Sequence, residues 1–189
     1  MDNEKLNILK LLIESQEKTF SIRQISIQRK INYKSAYTNL KLLAEDGIAT
    51  LKKQGNTTIC SFNYKFDDLV FEVEYERLQE LLKNKNFLVL YDRLSKINAQ
   101  FILLLFGSYA KKHESKHSDI DLLLITNDPK PIESQINLLP LNIHLTNITY
   151  DSFRAMLKSK EFTVVSEAMK HNILLFGLED YYRLINNAR

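Results

Sequence analysis

Apolar residues recur at helical spacing in "NEKLNILKLLIES", where Leu6, Ile8, Leu9, Leu11, Leu12 and Ile13 sit among polar positions and predict a helix with one buried face. "SIRQISIQRK" opens on Ser21 and Gln24, the S-x-x-Q spacing of a capping box, and offers Ile22 and Ile25 for burial. After a short turn, "NYKSAYTNLKLLAEDG" predicts a third helix. It starts at Asn32 as N-cap, carries Ala36, Leu40 and Leu43 on one face and stops at Gly47. The rhythm then changes: "IATLKKQGNTTICSFNY" holds two β-rich runs about Gln54-Gly55-Asn56 and predicts a hairpin.

From Phe66 the chain becomes acidic and helical. "FDDLVFEVEYERLQELLKN" offers Leu69, Val73, Leu78, Leu81 and Leu82 for burial and reads as a connector or a dimerising helix; "NFLVLYDRLSKIN" predicts another helix. Neither contains Pro or Gly, so a stiff helical segment is expected at the join. The organisation predicted is a domain over 1–66, a connecting helix over 67–84 and a second domain over 85–189.

The second domain carries the continuous apolar runs of buried strands. "QFILLLFGS" predicts a strand ending at Gly107, "SYAKKHE" starts a helix there, and "SDIDLLLIT" predicts the next strand. "PLNIHLTNIT", after a turn around Pro129 to Pro131, predicts a third, with Leu141, Ile143 and Leu145 inward and Asn142, His144 and Thr146 on the other face. "SFRAMLKSKEF" predicts a helix with Asp151 as its N-cap.

Composition narrows the class. The 189 residues are 44% hydrophobic, ample for a packed core. No apolar run approaches the ~20 residues that cross a bilayer, and "MDNEKLNILK" lacks the basic-then-apolar order of a signal peptide. A cytoplasmic protein is the expectation. The single cysteine, Cys60, cannot form an internal disulfide and reads as a small apolar strand residue. Residues 1–66 hold eleven Lys/Arg against six Asp/Glu, a net +5; the rest hold fifteen against seventeen, a net −2. A basic first third suits a polyanionic partner, and equally a well-solvated surface.

Three helices and a hairpin in this order resemble a winged helix-turn-helix domain. The resemblance implies DNA binding. It places Tyr33, Lys34, Ser35, Tyr37, Thr38 and Lys41 of the third helix at a major groove and Lys52 and Lys53, beside the hairpin tip, at phosphates. The same fold also serves as a protein-protein module.

The chemistry concentrates in "FGSYAKKHESKHSDIDLLLI". Gly107 permits close backbone approach, and Ser108 with the N–H groups after it lies at a predicted helix start, which suits phosphate. Asp119 and Asp121, two apart on a strand, point the same way while Ile120 and Leu122 face the core. Two adjacent carboxylates repel unless a cation sits between them, and Mg²⁺ shared with phosphate oxygens is the natural occupant. His113 and His117 lack the partners of a zinc site and read as solvated or phosphate-adjacent.

Gly107, Ser108, Ala110 and Lys111, followed by Ser118, Asp119, Ile120, Asp121 and Leu122, resemble the motif of the nucleotidyltransferase superfamily that includes DNA polymerase β, above all its small prokaryotic members. The likeness extends over residues 85 to 187. It implies an α+β fold in which the N-terminal winged helix-turn-helix is followed by a mixed sheet flanked by helices. By the same likeness Asp119 and Asp121 are metal ligands and catalytic carboxylates for Mg²⁺ (or Mn²⁺), and Gly107, Ser108, Lys111 and Ser118 are nucleotide-binding. The implied substrate is a nucleoside triphosphate, ATP, from which AMP passes to a hydroxyl on a protein, RNA or small molecule. Relatives of this type often act as antitoxins of HEPN-type ribonucleases, which implies such a protein partner, and the acidic helix offers a homodimer contact.

Two positions depart from the family pattern. Lys112 stands where the motif has its second glycine. The third carboxylate, which the family takes from a neighbouring strand, falls at Asn142, with His144 next along the same face. Two readings follow: an enzyme that transfers a nucleoside monophosphate, with Asn142 at the third catalytic position, or a DNA-binding regulator whose nucleotidyltransferase domain only senses nucleotide. Tyr181 and Tyr182 are expected to pack on the sheet, with base stacking as the alternative.

Overall fold

Helix caps set the ends of the N-terminal elements. In the computed structural model, which describes residues 2–113, 115, 118–159 and 161–188, α1 spans Asp2–Glu14 and is followed by β1 (Phe20–Ser21), α2 (Ile22–Arg29) and α3 (Tyr33–Glu45). Ser21 Oγ accepts from the Gln24 N–H at 3.2 Å, and the Ser21 N–H donates to Gln24 Oε1 at 2.7 Å, the reciprocal bonds of a capping box. Asn32 Oδ1 accepts from the Ser35 N–H at 2.7 Å and starts α3. Gly47, at φ 73°, ends it, its N–H on the Ala44 carbonyl and the Ile48 N–H on that of Leu43. Gly55-Asn56 then turns β2 (Ala49–Gln54) into β3 (Thr57–Phe62), with Gln54 opposite Thr57.

β1 lies on the other edge of β3, Phe20 opposite Cys60, and completes a sheet of order β1-β3-β2. Nothing in the sequence pattern announces it, because two residues carry no periodicity. Leu9, Ile25, Ala36, Leu40 and Leu43 are fully buried where the helices meet. Cys60 is buried too, and burial pushes its thiol up to about 12.

The chain divides into the units Met1–Val73 and Glu74–Arg189, within α4 (Asp68–Leu82). The second unit continues with α5 (Lys85–Leu94), β4 (Ile102–Phe106), the single turn α6 (Gly107–Ala110), β5 (Ile120–Ile125), α7 (Lys130–Ile136), β6 (Ile143–Ile148), α8 (Tyr150–Lys158), α9 (Val164–Lys170), β7 (Ile173–Phe176) and α10 (Leu178–Ala188). Its sheet has the order β6-β5-β4-β7. β4 runs antiparallel to both neighbours and β5 parallel to β6, so the sheet is mixed. Leu103, Leu105, Leu122 and Leu124 put one face of β4 and β5 into a core closed by Phe87, Leu90 and Leu94 of α5 and by Ile132 and Ile136 of α7.

Two local expectations are corrected. The stretch after Pro129 holds α7 as well as a turn, with Pro131 in its first turn, where the missing N–H of proline costs no hydrogen bond. The cap of α8 is Thr149, whose Oγ1 accepts from the Ser152 N–H at 3.1 Å. Asp151 lies one residue inside the helix, 93% exposed and paired with Arg154 at 3.0 Å, so it neither caps nor reaches the strand ends.

A buried polar network ties α4 to the C-terminal elements. Glu74 accepts from Arg77 and, at 2.6 Å, from Tyr182; Arg77 also donates to the Asn172 carbonyl, and Asn172 Nδ2 to the Tyr181 hydroxyl at 3.0 Å. Burial first, then the Glu74 charge beside it, holds the Tyr182 hydroxyl well above the ordinary tyrosine range. Tyr181 and Tyr182 are both fully buried, which removes them as surfaces for a base. Among the described residues no helix is long and apolar enough to cross a membrane.

Candidate functional site

The last pair in the β4–β5 ladder is Phe106 opposite Asp121, so the chain leaves β4 at Gly107 directly beside that acid. Gly107 adopts φ 72°, and a Cβ built on it would lie 2.1 Å from Asp121 Oδ2. The glycine is therefore required by the carboxylate itself as well as by the turn. On the other side, β6 brings His144 opposite Asp121, with Nδ1 3.3 Å from Oδ1. One step earlier the Ile120 N–H donates to the Asn142 carbonyl at 2.9 Å, which sets Asn142 beside Asp119, and Asn142 Nδ2 donates to Asp119 Oδ1. The two acids, Asn142 just before β6 and His144 within it form a double row at one end of parallel strands. Ile120 and Leu122, between and beyond the acids, are buried as their alternation requires.

This donor set has a definite chemistry. Two carboxylates with free oxygens suit one hard divalent cation shared with phosphate oxygens. A second ion held by three carboxylates does not fit, because Asn142 and His144 occupy the neighbouring strand. Among the described residues no group of three His, Cys, Asp or Glu side chains could hold a metal by itself.

The helical turn after Gly107 is shorter, and the lysines that follow it are more heavily paired, than the sequence suggests. The helix expected over "SYAKKHE" ends at Ala110, and Ser108 is half-buried within that turn. Lys112 takes φ 55°, the left-handed conformation a glycine adopts at no cost, and its ammonium pairs with Glu80 at 2.9 Å. Lys111 is bonded to Glu167 of α9 at 2.9 Å, and Glu167 also accepts from Lys170 at 3.0 Å. These lysines hold the Glu167 carboxyl below its usual range, Lys111 first. Ser118 closes the loop on itself, its Oγ accepting from the Ser115 N–H at 2.8 Å. His113 is exposed; His117 lies outside the described residues. Glu80 and Glu167 were not among the predicted site residues. They sit 32 and 56 positions from their lysines, and no spacing could have announced them.

In the N-terminal unit Tyr33, Lys34, Tyr37, Thr38 and Lys41 share the exposed face of α3, opposite buried Ala36, Leu40 and Leu43. Lys41 pairs with Glu45 at 3.6 Å. Lys52 and Lys53 are exposed on β2. Ser35 is turned away from this face: its hydroxyl donates to Glu4 of α1 and receives Asn39 Nδ2 at 3.2 Å.

The family model described as polymerase beta, nucleotidyltransferase matches residues 76–180, which include the acidic pair, the Gly-Ser turn and β6. No curated protein and no solved structure matches the chain.

Proposed function

The chain belongs to the polymerase beta nucleotidyltransferase family, and from that premise we propose that it binds a magnesium- or manganese-complexed nucleoside triphosphate at Asp119 and Asp121 and transfers its nucleoside monophosphate, AMP from ATP, to a hydroxyl. The observation that carries the reading is the position of Asp121, between the Gly107 turn and the β6 strand. A carboxylate there meets both the turn that would hold phosphates and the strand that would face the acceptor. Asp119 and Asp121 would hold the cation through the oxygens that Asn142 and His144 leave free. When bound, that cation neutralises phosphate charge and polarises the acceptor hydroxyl. The acceptor oxygen bonds to the α-phosphorus, the bond to the β-phosphate bridge breaks, pyrophosphate leaves and the hydroxyl proton passes to solvent. Gly107 and Ser108 would orient the β- and γ-phosphates, and Lys111 would exchange Glu167 for phosphate.

The acceptor we propose is a hydroxyl on a HEPN-type ribonuclease partner. The N-terminal unit we read as a winged helix that binds DNA through Tyr33, Lys34, Tyr37, Thr38 and Lys41, with Lys52 and Lys53 on phosphates. Support comes from their common exposure and from the net +5 of residues 1–66. Its test is salt-dependent binding of promoter DNA, weakened in Lys34→Ala or Lys52→Ala.

One observation favours a second reading. Asn142 and His144 supply no carboxylate where a third would complete the site. A regulator that binds nucleotide without turnover would keep the acidic pair and forgo the third acid. Incubation with ATP labelled at the α-phosphate, Mn²⁺ and candidate partners separates the two. Label on a partner, lost in Asp119→Asn, supports transfer; tight ATP binding with no label on any partner supports sensing.

A further inference from the structure

Thr163 caps α9, so Phe162 holds the position before the cap, where an apolar side chain normally packs on the fourth helical residue. That fourth residue is Glu167, which is engaged with Lys111 and Lys170. Phe162 is left 77% exposed, more than any other large apolar side chain among the described residues. It is not bare of partners altogether: Lys170 Nζ lies 5.2 Å from the ring centroid. Buried Val165, Ala168 and Met169 seat α9, which packs against β4, the strand that ends at the Gly107 turn. A continuous run of contacts thus leads from Lys111, at the end of that turn, through Glu167 and Lys170 to an open aromatic face.

A single exposed ring is ordinary on a protein surface; this one is set apart by the cation beside it and by the contacts that lead from it to Lys111. A nucleobase is a flat π surface, and a ring flanked by a fixed cation is the usual way a protein stacks one without reading its edge. Resting on the reading of Asp119 and Asp121 as the nucleotide site, we propose that Phe162 and Lys170 form its nucleoside end, with the base of the bound triphosphate stacked on Phe162. Glu167 is a positioning residue that keeps Lys170 beside the ring when Lys111 turns from it to phosphate. Because every base presents a π face, this subsite accepts purines without discriminating ATP from GTP.

The chain contains no tryptophan, so Phe162→Trp installs a single indole reporter at the proposed contact. The full chain carrying it is titrated with MgATP, MgGTP and magnesium tripolyphosphate, while equilibrium dialysis measures ATP affinity of the unsubstituted chain, Phe162→Trp and Phe162→Ala. Indole emission is expected to fall with ATP and GTP and to stay level with tripolyphosphate. Phe162→Ala, folded by circular dichroism, is expected to lose about 5- to 150-fold in ATP affinity, the range for one base stack. ATP bound by the unsubstituted chain with an unchanged affinity in Phe162→Ala, or emission that responds equally to tripolyphosphate, overturns the subsite and leaves the nucleotide site standing. No ATP bound by the unsubstituted chain overturns both.

Discussion

Gly107 and Asp121 share one volume: the place of a Cβ on residue 107 is 2.1 Å from the Asp121 Oδ2 and 3.0 Å from its Cγ. The glycine at the end of β4 and the second acid of β5 are therefore a single structural unit. Gly107→Ala would impose a left-handed conformation on alanine, at about 1–2 kcal/mol, and push the carboxylate out of line. The expected result is a lower melting temperature together with loss of Mg²⁺-dependent ATP binding. Wild-type ATP affinity in a folded Gly107→Ala chain would separate the glycine from the site.

Lys112 makes the opposite prediction. At φ 55° it occupies the left-handed region without being glycine, and its ammonium forms an exposed ion pair with Glu80, of a kind worth about 0–1 kcal/mol. Lys112→Gly should match or exceed the wild-type stability by up to about 1 kcal/mol, since relief of backbone strain offsets the lost pair and the freer unfolded chain. Lys112→Val, branched at Cβ, should lose stability by at least about 1 kcal/mol. Equal melting temperatures for the two variants would contradict the backbone account.

Local signals in the sequence carried most of the fold. The Ser21–Gln24 box, Asn32, Gly47 and the Gly55 turn each act within a few residues, and each sits where its spacing implies. The continuous apolar runs placed β4 and β5, and the Asp-x-Asp spacing placed two carboxylates at one strand end. What was not legible depends on distant partners. β1 exists because β3 offers it an edge, Thr149 displaced Asp151 as cap through the geometry of the strand exit, and Ser35 turned inward to meet Glu4. The bond between Lys111 and Glu167 joins residues 56 positions apart, beyond the reach of any local spacing.

Asn142 donates to Asp119, which steadies that carboxylate without a cation. Asn142→Asp replaces a donor with a second charge. Without metal, stability should fall by about 1–3 kcal/mol, the cost of losing a charged group's hydrogen bond and adding repulsion. Saturating Mn²⁺ should return it, because an ion that binds only the folded chain stabilises by mass action. The readout is the melting-temperature gain between EDTA and Mn²⁺, larger in Asn142→Asp than in the unsubstituted chain. Identical gains in the two proteins would remove Asn142 from the metal site.

Glu74 holds two buried donors, Arg77 and Tyr182. Glu74→Ala strands the Arg77 charge and should cost about 3–5 kcal/mol in urea unfolding. Tyr182→Phe removes one bond and should cost about 1–3 kcal/mol. The sign with pH is set by the raised Tyr182 hydroxyl: its contribution is complete below about pH 10, the ordinary tyrosine value, and is lost as pH rises through the higher folded value. Tyr182→Phe should therefore flatten the alkaline decline in stability. An unchanged alkaline slope would show that the hydroxyl is not the group that titrates.

The most direct measurement is equilibrium binding of ATP to the full chain, in Mg²⁺ and in EDTA, for the unsubstituted protein, Asp119→Asn and Asp121→Asn. The site described predicts saturable binding that requires the cation and weakens about tenfold or more, at least ~1.4 kcal/mol, in each variant. ATP bound as tightly in EDTA, or with undiminished affinity by both folded variants, would contradict it.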